Sequence, residues 1–413
     1  MEHYITQINI EKLRHLSNIA ISLNSEQRQH LIVTGKNGSG KTSLLIALKK
    51  YLQAINDKNF KDLIESYIPK YSEIQERIEK AKTEEEKYEI KKGNLYNKTV
   101  LTQIQKYVSG VSFSFNDYNH LEALYAQGDF ITAYFPANRK TQITRAQGVE
   151  DIKLSDAYAV DSDPGQLLHQ YMVHLKTQQA YARNEGDMVN VDRIQKWFDR
   201  FEGALKVLLD DDTLNLKYEY KEYDFKIHES GRNPFGFETL SDGYSSVIEI
   251  VSDLILRMDK NWLLGDDISK YDVEGIVLID EIETHLHIGL QKKIMPFLTE
   301  FFPRIQFIIT THSPYILNSL SNAKVYDLEN CMELENLSMY SSDELAEGYF
   351  GADEYSEKLK EKINRYKYLK KKPDLTEEER AERAKLRCEF RNIPKGLSTE
   401  IADMFYDIEG KQL

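Results

Sequence analysis

One stretch constrains this chain more than any other: Gly35-Lys36-Asn37-Gly38-Ser39-Gly40-Lys41-Thr42. It fits G-x-x-x-x-G-K-[ST] at every fixed position. The run Leu31-Ile32-Val33-Thr34 before it reads as a strand, and Ser43-Leu44-Leu45-Ile46-Ala47-Leu48 after it reads as a helix. Strand, glycine-rich turn and helix in that order make a phosphate cradle. Glycines at 35, 38 and 40 let backbone N–H groups turn inward, and the helix adds its positive end. Lys41 is expected to reach the β- and γ-phosphates of a nucleotide, and the Thr42 hydroxyl to bind Mg²⁺. Asn37, Ser39 and Ser43 complete the expected nucleotide contacts.

Three later motifs narrow the reading. Gly275-Ile276-Val277-Leu278-Ile279-Asp280-Glu281 puts four apolar residues in a row, the pattern of a strand buried on both faces in a parallel sheet. Such a strand delivers its two carboxylates to the edge where open α/β sheets bind ligands. Asp280 is expected in the Mg²⁺ shell, with Glu281 as the general base that polarises water. Leu240-Ser241-Asp242-Gly243-Tyr244 precedes an apolar, helix-like run from Val247 to Leu256 and matches the L-S-x-G signature of ABC-type ATPases. Ser241 and the backbone at Gly243 suit a γ-phosphate at a helix N-terminus. Transporters often carry Gln or Glu where this chain has Tyr244. Finally, Phe307-Ile308-Ile309-Thr310-Thr311-His312-Ser313-Pro314 ends another buried-strand run on a histidine. His312 stands where ABC-type ATPases carry the switch histidine.

The four motifs in this order resemble ABC-type ATPases of the SMC, RecF and OLD group. In particular they resemble the stand-alone heads of bacterial anti-phage systems of the Septu PtuA and PARIS AriA type. The run Asp280-Glu281-Ile282-Glu283-Thr284-His285-Leu286-His287, followed by Thr310 to Pro314, has the look of the OLD-like branch. The segment Ile10 to Leu16, with Arg14, is similar to the opening of that domain. The resemblance implies an α/β P-loop head: a mostly parallel sheet core, an antiparallel β subdomain and a helical lobe. It also implies two copies sandwiching two ATP molecules. Lys41, Thr42, Asp280, Glu281 and His312 would come from one copy, and Ser241 and Gly243 from the other.

Composition limits the alternatives. With 413 residues and 41% hydrophobic content the chain can bury a sizeable core. The phosphate loop and the acidic pair are far apart in sequence, so one nucleotide site requires the intervening residues to fold back into a discontinuous domain. A net charge of −13 argues against a broad nucleic-acid footprint but leaves local basic contacts open. Two cysteines, Cys331 and Cys388, without a CxxC pattern, fit a reducing cytoplasm and no structural zinc. No apolar run approaches membrane-spanning length, and the polar N-terminus lacks a signal-peptide core.

The expected organisation is an N-terminal part of the head at 1–59, a Lys/Glu-rich helical insertion at 60–108, the rest of the head at 109–350, and a helical hairpin at 351–413. Two apolar helical stripes, Leu167, Leu168, Tyr171, Met172, Leu175 and Ile194, Trp197, Phe198, Phe201, Leu205, Leu208, read as core of the helical lobe. Residues 214–228 alternate as a β-hairpin. The strand Phe130–Phe135 leads to a turn where related heads place a glutamine; none stands here, and either Asn138 or Arg139 substitutes or neither does. In the tail, Tyr355, Leu359, Ile363, Tyr366 and Leu369 on one helix and Ala381, Ala384 and Cys388 on the next define a narrow seam, with Thr376 and Glu379 as a capping box. Lys358 to Lys372 could touch nucleic acid, although mixed charge favours a solvated face.

After Ser313 there is no D-x-D metal pair and no histidine, so a nuclease centre is expected on a separate effector protein. The leading expectation is a cytoplasmic regulatory ATPase that senses infection and controls that effector. The alternative is a RecF- or SMC-like clamp acting in DNA repair.

Overall fold

The computed structural model describes residues 2–93, 95–139, 146–264, 273–335, 337–349 and 357–391. Two compact units, Met1–Ser342 and Asp343–Leu413, divide the chain. In the first, strands β1 (Ile5–Leu13), β2 (Leu16–Ser22) and β4 (Val111–Phe115) form an antiparallel sheet, ordered β2-β1-β4. A second sheet runs β11-β10-β3-β9-β8-β5, with β3 (His30–Thr34), β5 (Phe130–Phe135), β8 (Glu274–Ile279), β9 (Ile305–Thr310), β10 (Ala323–Asp327) and β11 (Met332–Leu334). All its pairings are parallel except β10–β11. A third, two-stranded sheet pairs β6 (Asn215–Glu219) with β7 (Asp224–His228), the hairpin expected from alternation.

Every residue of β3, β8 and β9 is buried, because both faces of the sheet are covered. The helix Lys41–Asn56 presents Leu44, Leu45, Leu48, Tyr51, Leu52 and Ile55 to a core shared with Ile5, Ile8 and Ile10 of β1. The insertion is built of helices: a π-turn at Leu63–Tyr67, then helices Ile68–Lys80, Glu84–Lys92 and Leu95–Tyr107. Pro69 follows directly on the π-turn, at the point where the helical hydrogen-bond ladder changes spacing. The root of this insertion belongs to the same core through Phe60, Leu63, Ile74, Val100, Ile104 and Tyr107, while Tyr88 is exposed.

The helical lobe consists of helices Leu168–Asn184 and Met188–Leu209, whose apolar stripes are buried as their spacing demands. Leu167 is the exception: it closes a 3₁₀ turn ahead of the helix and is exposed. Asp259, on the long helix Asp242–Leu264, accepts from Trp197 Nε1 at 2.9 Å and from the Tyr171 hydroxyl, so a buried carboxylate fastens the lobe to that helix. Two residues earlier, Arg257 pairs with Asp253 at 2.5 Å and donates to the carbonyls of Thr132 and Ala159. Burial pushes Asp253 up to about 6 despite the arginine. The long helix is thereby tied to β5 as well as to the lobe.

In the second unit, helices Glu357–Lys371 and Glu377–Arg391 pack through Ile363, Tyr366 and Leu369 against Leu386 and Phe390. The Thr376–Glu379 capping box forms in both directions, at 3.2 and 3.0 Å. The expected seam on the second helix is wrong. Ala381, Ala384 and Cys388 are exposed, because Leu386 and Phe390, one turn apart, bury far more apolar area on a neighbouring face. Lys362, Arg365 and Lys372 pair with Glu389, Glu382 and Glu379 across the hairpin, which partly neutralises the basic side. Tyr355 and the stretch beyond Arg391 lie outside the described residues.

Candidate functional site

Register explains why distant motifs meet. Val33 of β3 pairs with Thr310 of β9, and Ile309 pairs with Ile279 of β8, which pairs with Phe135 of β5. The four strands are parallel and end flush. The residues that follow them, Gly35 to Thr42, Thr311 to His312, Asp280 to Glu281, and Pro136 to Arg139, therefore gather at one sheet edge. Because β9 lies between the loop strand and the acidic strand, His312 emerges between the two.

The loop has the backbone that its glycines were expected to supply. Gly35, Gly38 and Gly40 have φ of 130°, 87° and 104°. A side chain at Gly35 would meet the Glu329 amide and the Ser39 hydroxyl at 3.0 Å, since the turn after β10 braces the loop. Gly40 precedes the helix without any side-chain cap, so the first N–H groups of Lys41–Asn56 have no side chain competing for them. Asn37, Gly38 and Thr42 are exposed, Ser43 is half-buried, and Ser39 and Lys41 are buried.

Lys41 Nζ donates to the carbonyls of Gly35 at 2.8 Å and Lys36 at 3.1 Å. Burial lowers its pKa, opposed by Glu281, Glu283, Asp280 and Asp327. His312 is also lowered, chiefly by burial and then by Lys41. Lysine, carboxylates and histidine thus form one electrostatic cluster, as a polyanionic ligand with a cation requires.

The acidic turn is held unusually. Glu281 has a φ of 43°, a left-handed conformation that side chains other than glycine rarely adopt. The Thr310 hydroxyl accepts its N–H at 2.7 Å and donates to Asp280 Oδ1 at 2.6 Å, so one hydroxyl orients both carboxylate residues. Glu283 Oε1 accepts the His312 N–H at 2.5 Å, and burial raises the Glu283 carboxyl above its ordinary range. Among the described residues, Ser39 Oγ and His312 Nε2 at this edge are shut off from solvent without a hydrogen-bond partner. Such orphans are costly and concentrate where a ligand supplies the missing partner. The donor set fits a nucleotide with Mg²⁺: one hydroxyl, Thr42, and one carboxylate, Asp280, suffice, because phosphates and water complete that ion's octahedron. The described residues contain no cluster of three or more metal-ligating side chains, the arrangement an all-protein metal cage would need.

The signature segment starts the Asp242–Leu264 helix with Ser241 exposed and Gly243 buried. A Cβ at Gly243 would lie 2.5 Å from the His285 carbonyl, so the glycine lets the helix close on the turn after Glu281. Tyr244 bonds His287 Nε2 at 3.1 Å, and His287 caps the next helix, Ile288–Phe301. Gly243→Ala is therefore expected to cost about 1–3 kcal/mol by overpacking against backbone. Gly203→Ala, in open space on a helix, should be neutral or stabilising. Urea unfolding of both variants checks this.

Arg139 follows β5 at the turn where a substitute for the missing glutamine was expected. It is buried, and its guanidinium donates to Ser246 Oγ (2.8 Å) and to the carbonyls of Pro136 (3.1 Å), Asp280 (2.8 Å), Glu281 (3.1 Å) and Ile282 (3.3 Å). The sequence reading gave no role to Glu283 or Thr310. Both stand inside runs already singled out; for Thr310, a polar residue ending an apolar strand was the available signal.

Fold and site together define a P-loop ATPase head of the ABC type. The family model described as "AAA domain, putative AbiEii toxin, Type IV TA system" matches residues 31–318, and the chain belongs to that family. It is 31% identical over 223 residues to the Septu protein PtuA of Bacillus mycoides (strain KBAB4), covering 51% of this chain and 30% of the relative. It is 37% identical over 91 residues to the "Retron Ec83 probable ATPase" of Escherichia coli, covering 22% of this chain and 16% of that one. The matched segments thus span less than a third of these relatives. A solved structure described as the SmcHead bound to the C-winged helix domain of ScpA is similar at a TM-score of 0.38 and 11% identity, covering 80% of this chain and 96% of that one. No helix among the described residues is long and apolar enough to cross a membrane.

Proposed function

We propose that this chain binds and hydrolyses ATP with Mg²⁺, as the regulatory ATPase of a bacterial anti-phage system, in the cytoplasm. The observation that carries the ATPase reading is the convergence at one sheet edge of the phosphate loop, the Asp280–Glu281 turn and His312. Backbone N–H groups of Gly38 to Ser43 and the Lys41 ammonium hold the phosphates. Thr42 and Asp280 would hold Mg²⁺, which would supply neutralising charge for the phosphates. Glu281 orients the attacking water and takes its proton, and His312, kept neutral by burial, can hydrogen-bond the γ-phosphate.

The exposed Ser241 at a helix start leaves the signature free to cap a nucleotide held by a second copy, so ATP joins the two subunits and hydrolysis releases them. The defence role, and control of a separate effector, rests on similarity to the Septu and retron proteins. The test is native mass spectrometry of the Glu281→Gln protein with Mg-ATP, coexpressed with its neighbouring gene. An ATP-loaded dimer or higher multiple carrying a second polypeptide is the expected result. An ATP-loaded dimer without a partner overturns the effector role, and no nucleotide-dependent assembly overturns the sandwich.

A further inference from the structure

We propose that Arg139 is the positioning residue of this site. Its guanidinium fixes the left-handed turn that aims Glu281 and links that turn to the signature helix through Ser246. The inference rests on the reading of Glu281 as the base and adds how the base is held and informed.

An arginine side chain has five N–H donors in a rigid, planar fork. Here five acceptors meet them: one serine hydroxyl and four backbone carbonyls, three of which belong to the consecutive residues Asp280, Glu281 and Ile282. Carbonyls of consecutive residues converge on one plane only when the chain curls tightly, and the φ of 43° at Glu281 is that curl. A conformation of this kind costs about 1–3 kcal/mol and persists only where its surroundings impose it. Arg139 from one side and the Thr310 hydroxyl from the other impose it here. Burial works against the Arg139 charge, while Glu249, Glu283, Asp280 and Glu281 support it. The cation is thus retained in a place costly to supply.

The link to the signature follows from the fifth donor. Ser246 lies in the opening turns of the Asp242–Leu264 helix and accepts from Arg139 Nε. That same helix start touches the far end of the acidic turn where Gly243 meets the His285 carbonyl. The turn is gripped by one helix at both ends. A phosphate that a second subunit brings to Ser241 and the helix N-terminus therefore acts on the Glu281 turn through Ser246 and Arg139.

The test compares single-turnover ATP hydrolysis and nucleotide affinity in full-length wild type, Arg139→Lys, Ser246→Ala, Glu281→Gln and the two double variants with Glu281→Gln. Lysine keeps the charge and loses the fork. Arg139→Lys is expected to lower the hydrolysis rate about 10²-fold by misaligning the base, with ATP affinity within about threefold of wild type. In the Glu281→Gln background it should lower the rate no further, because a residue acting through the base has nothing left to position. Ser246→Ala, which leaves the carbonyl bonds in place, is expected to lower the rate about tenfold with the same non-additivity. It carries the test if Arg139→Lys is unfolded at the assay temperature. Wild-type rates in Arg139→Lys or Ser246→Ala, or equal losses with and without Glu281, overturn the proposal alone. Wild-type hydrolysis by Glu281→Gln overturns the base assignment beneath it.

Discussion

Glu281→Gln is expected to cut ATP turnover by about 10²–10⁴-fold, the range of a lost general base, while leaving ATP bound. The substitution is close to isosteric. The bonds that hold the turn, from Thr310 and Arg139, go to the Glu281 backbone and survive it. Asp280 keeps its bond to Thr310, so the metal carboxylate stays oriented. What disappears is the carboxylate that accepts a proton. Bound ATP then persists, and a closed dimer should accumulate in size-exclusion chromatography with Mg-ATP and disperse with EDTA. Phosphate release measured alongside decides the assignment: turnover at the unmutated rate means that Glu281 is not the base.

Lys41→Ala is expected to weaken ATP binding by about 10²-fold or more, from the loss of a charge-assisted bond worth roughly 1.5–3 kcal/mol together with the charge balance around it. Lys41 is buried beside Asp280, Glu281 and Glu283. Without its ammonium, those carboxylates present unopposed negative charge to an incoming triphosphate. Calorimetric titration with ATP reads the affinity, and a thermal melt confirms that the loop variant is folded. Affinity within about threefold of wild type would place the triphosphate elsewhere.

Much of the sheet edge was legible in the sequence because its signals are local. A buried parallel strand is a short apolar run, and a phosphate loop is a glycine spacing, so β3, β8 and β9 and the residues that follow each were readable one at a time. The lobe helices were readable by period. The same logic failed where two faces competed. On Glu377–Arg391, alanine and cysteine spacing suggested one seam, but Leu386 and Phe390 took the contact because a larger side chain removes more area from water. Leu167 failed at a boundary, where a helical stripe continues on paper into a turn that is not part of the helix.

The sequence by itself determined that the chain is a P-loop head, and it offered the loop, acidic pair and histidine proposed for the site. Those identities are carried by residue types at short spacing. Only the tertiary structure decided that β9 stands between β3 and β8, that Thr310 orients both acidic residues, that Gly243 yields to the His285 carbonyl, and that Arg139 donates to three consecutive carbonyls of the turn around Glu281. These contacts join residues separated by tens to hundreds of positions. A hydrogen bond across such a gap leaves no periodicity in the chain, because it is set by where strands end in space rather than by what stands beside them in sequence.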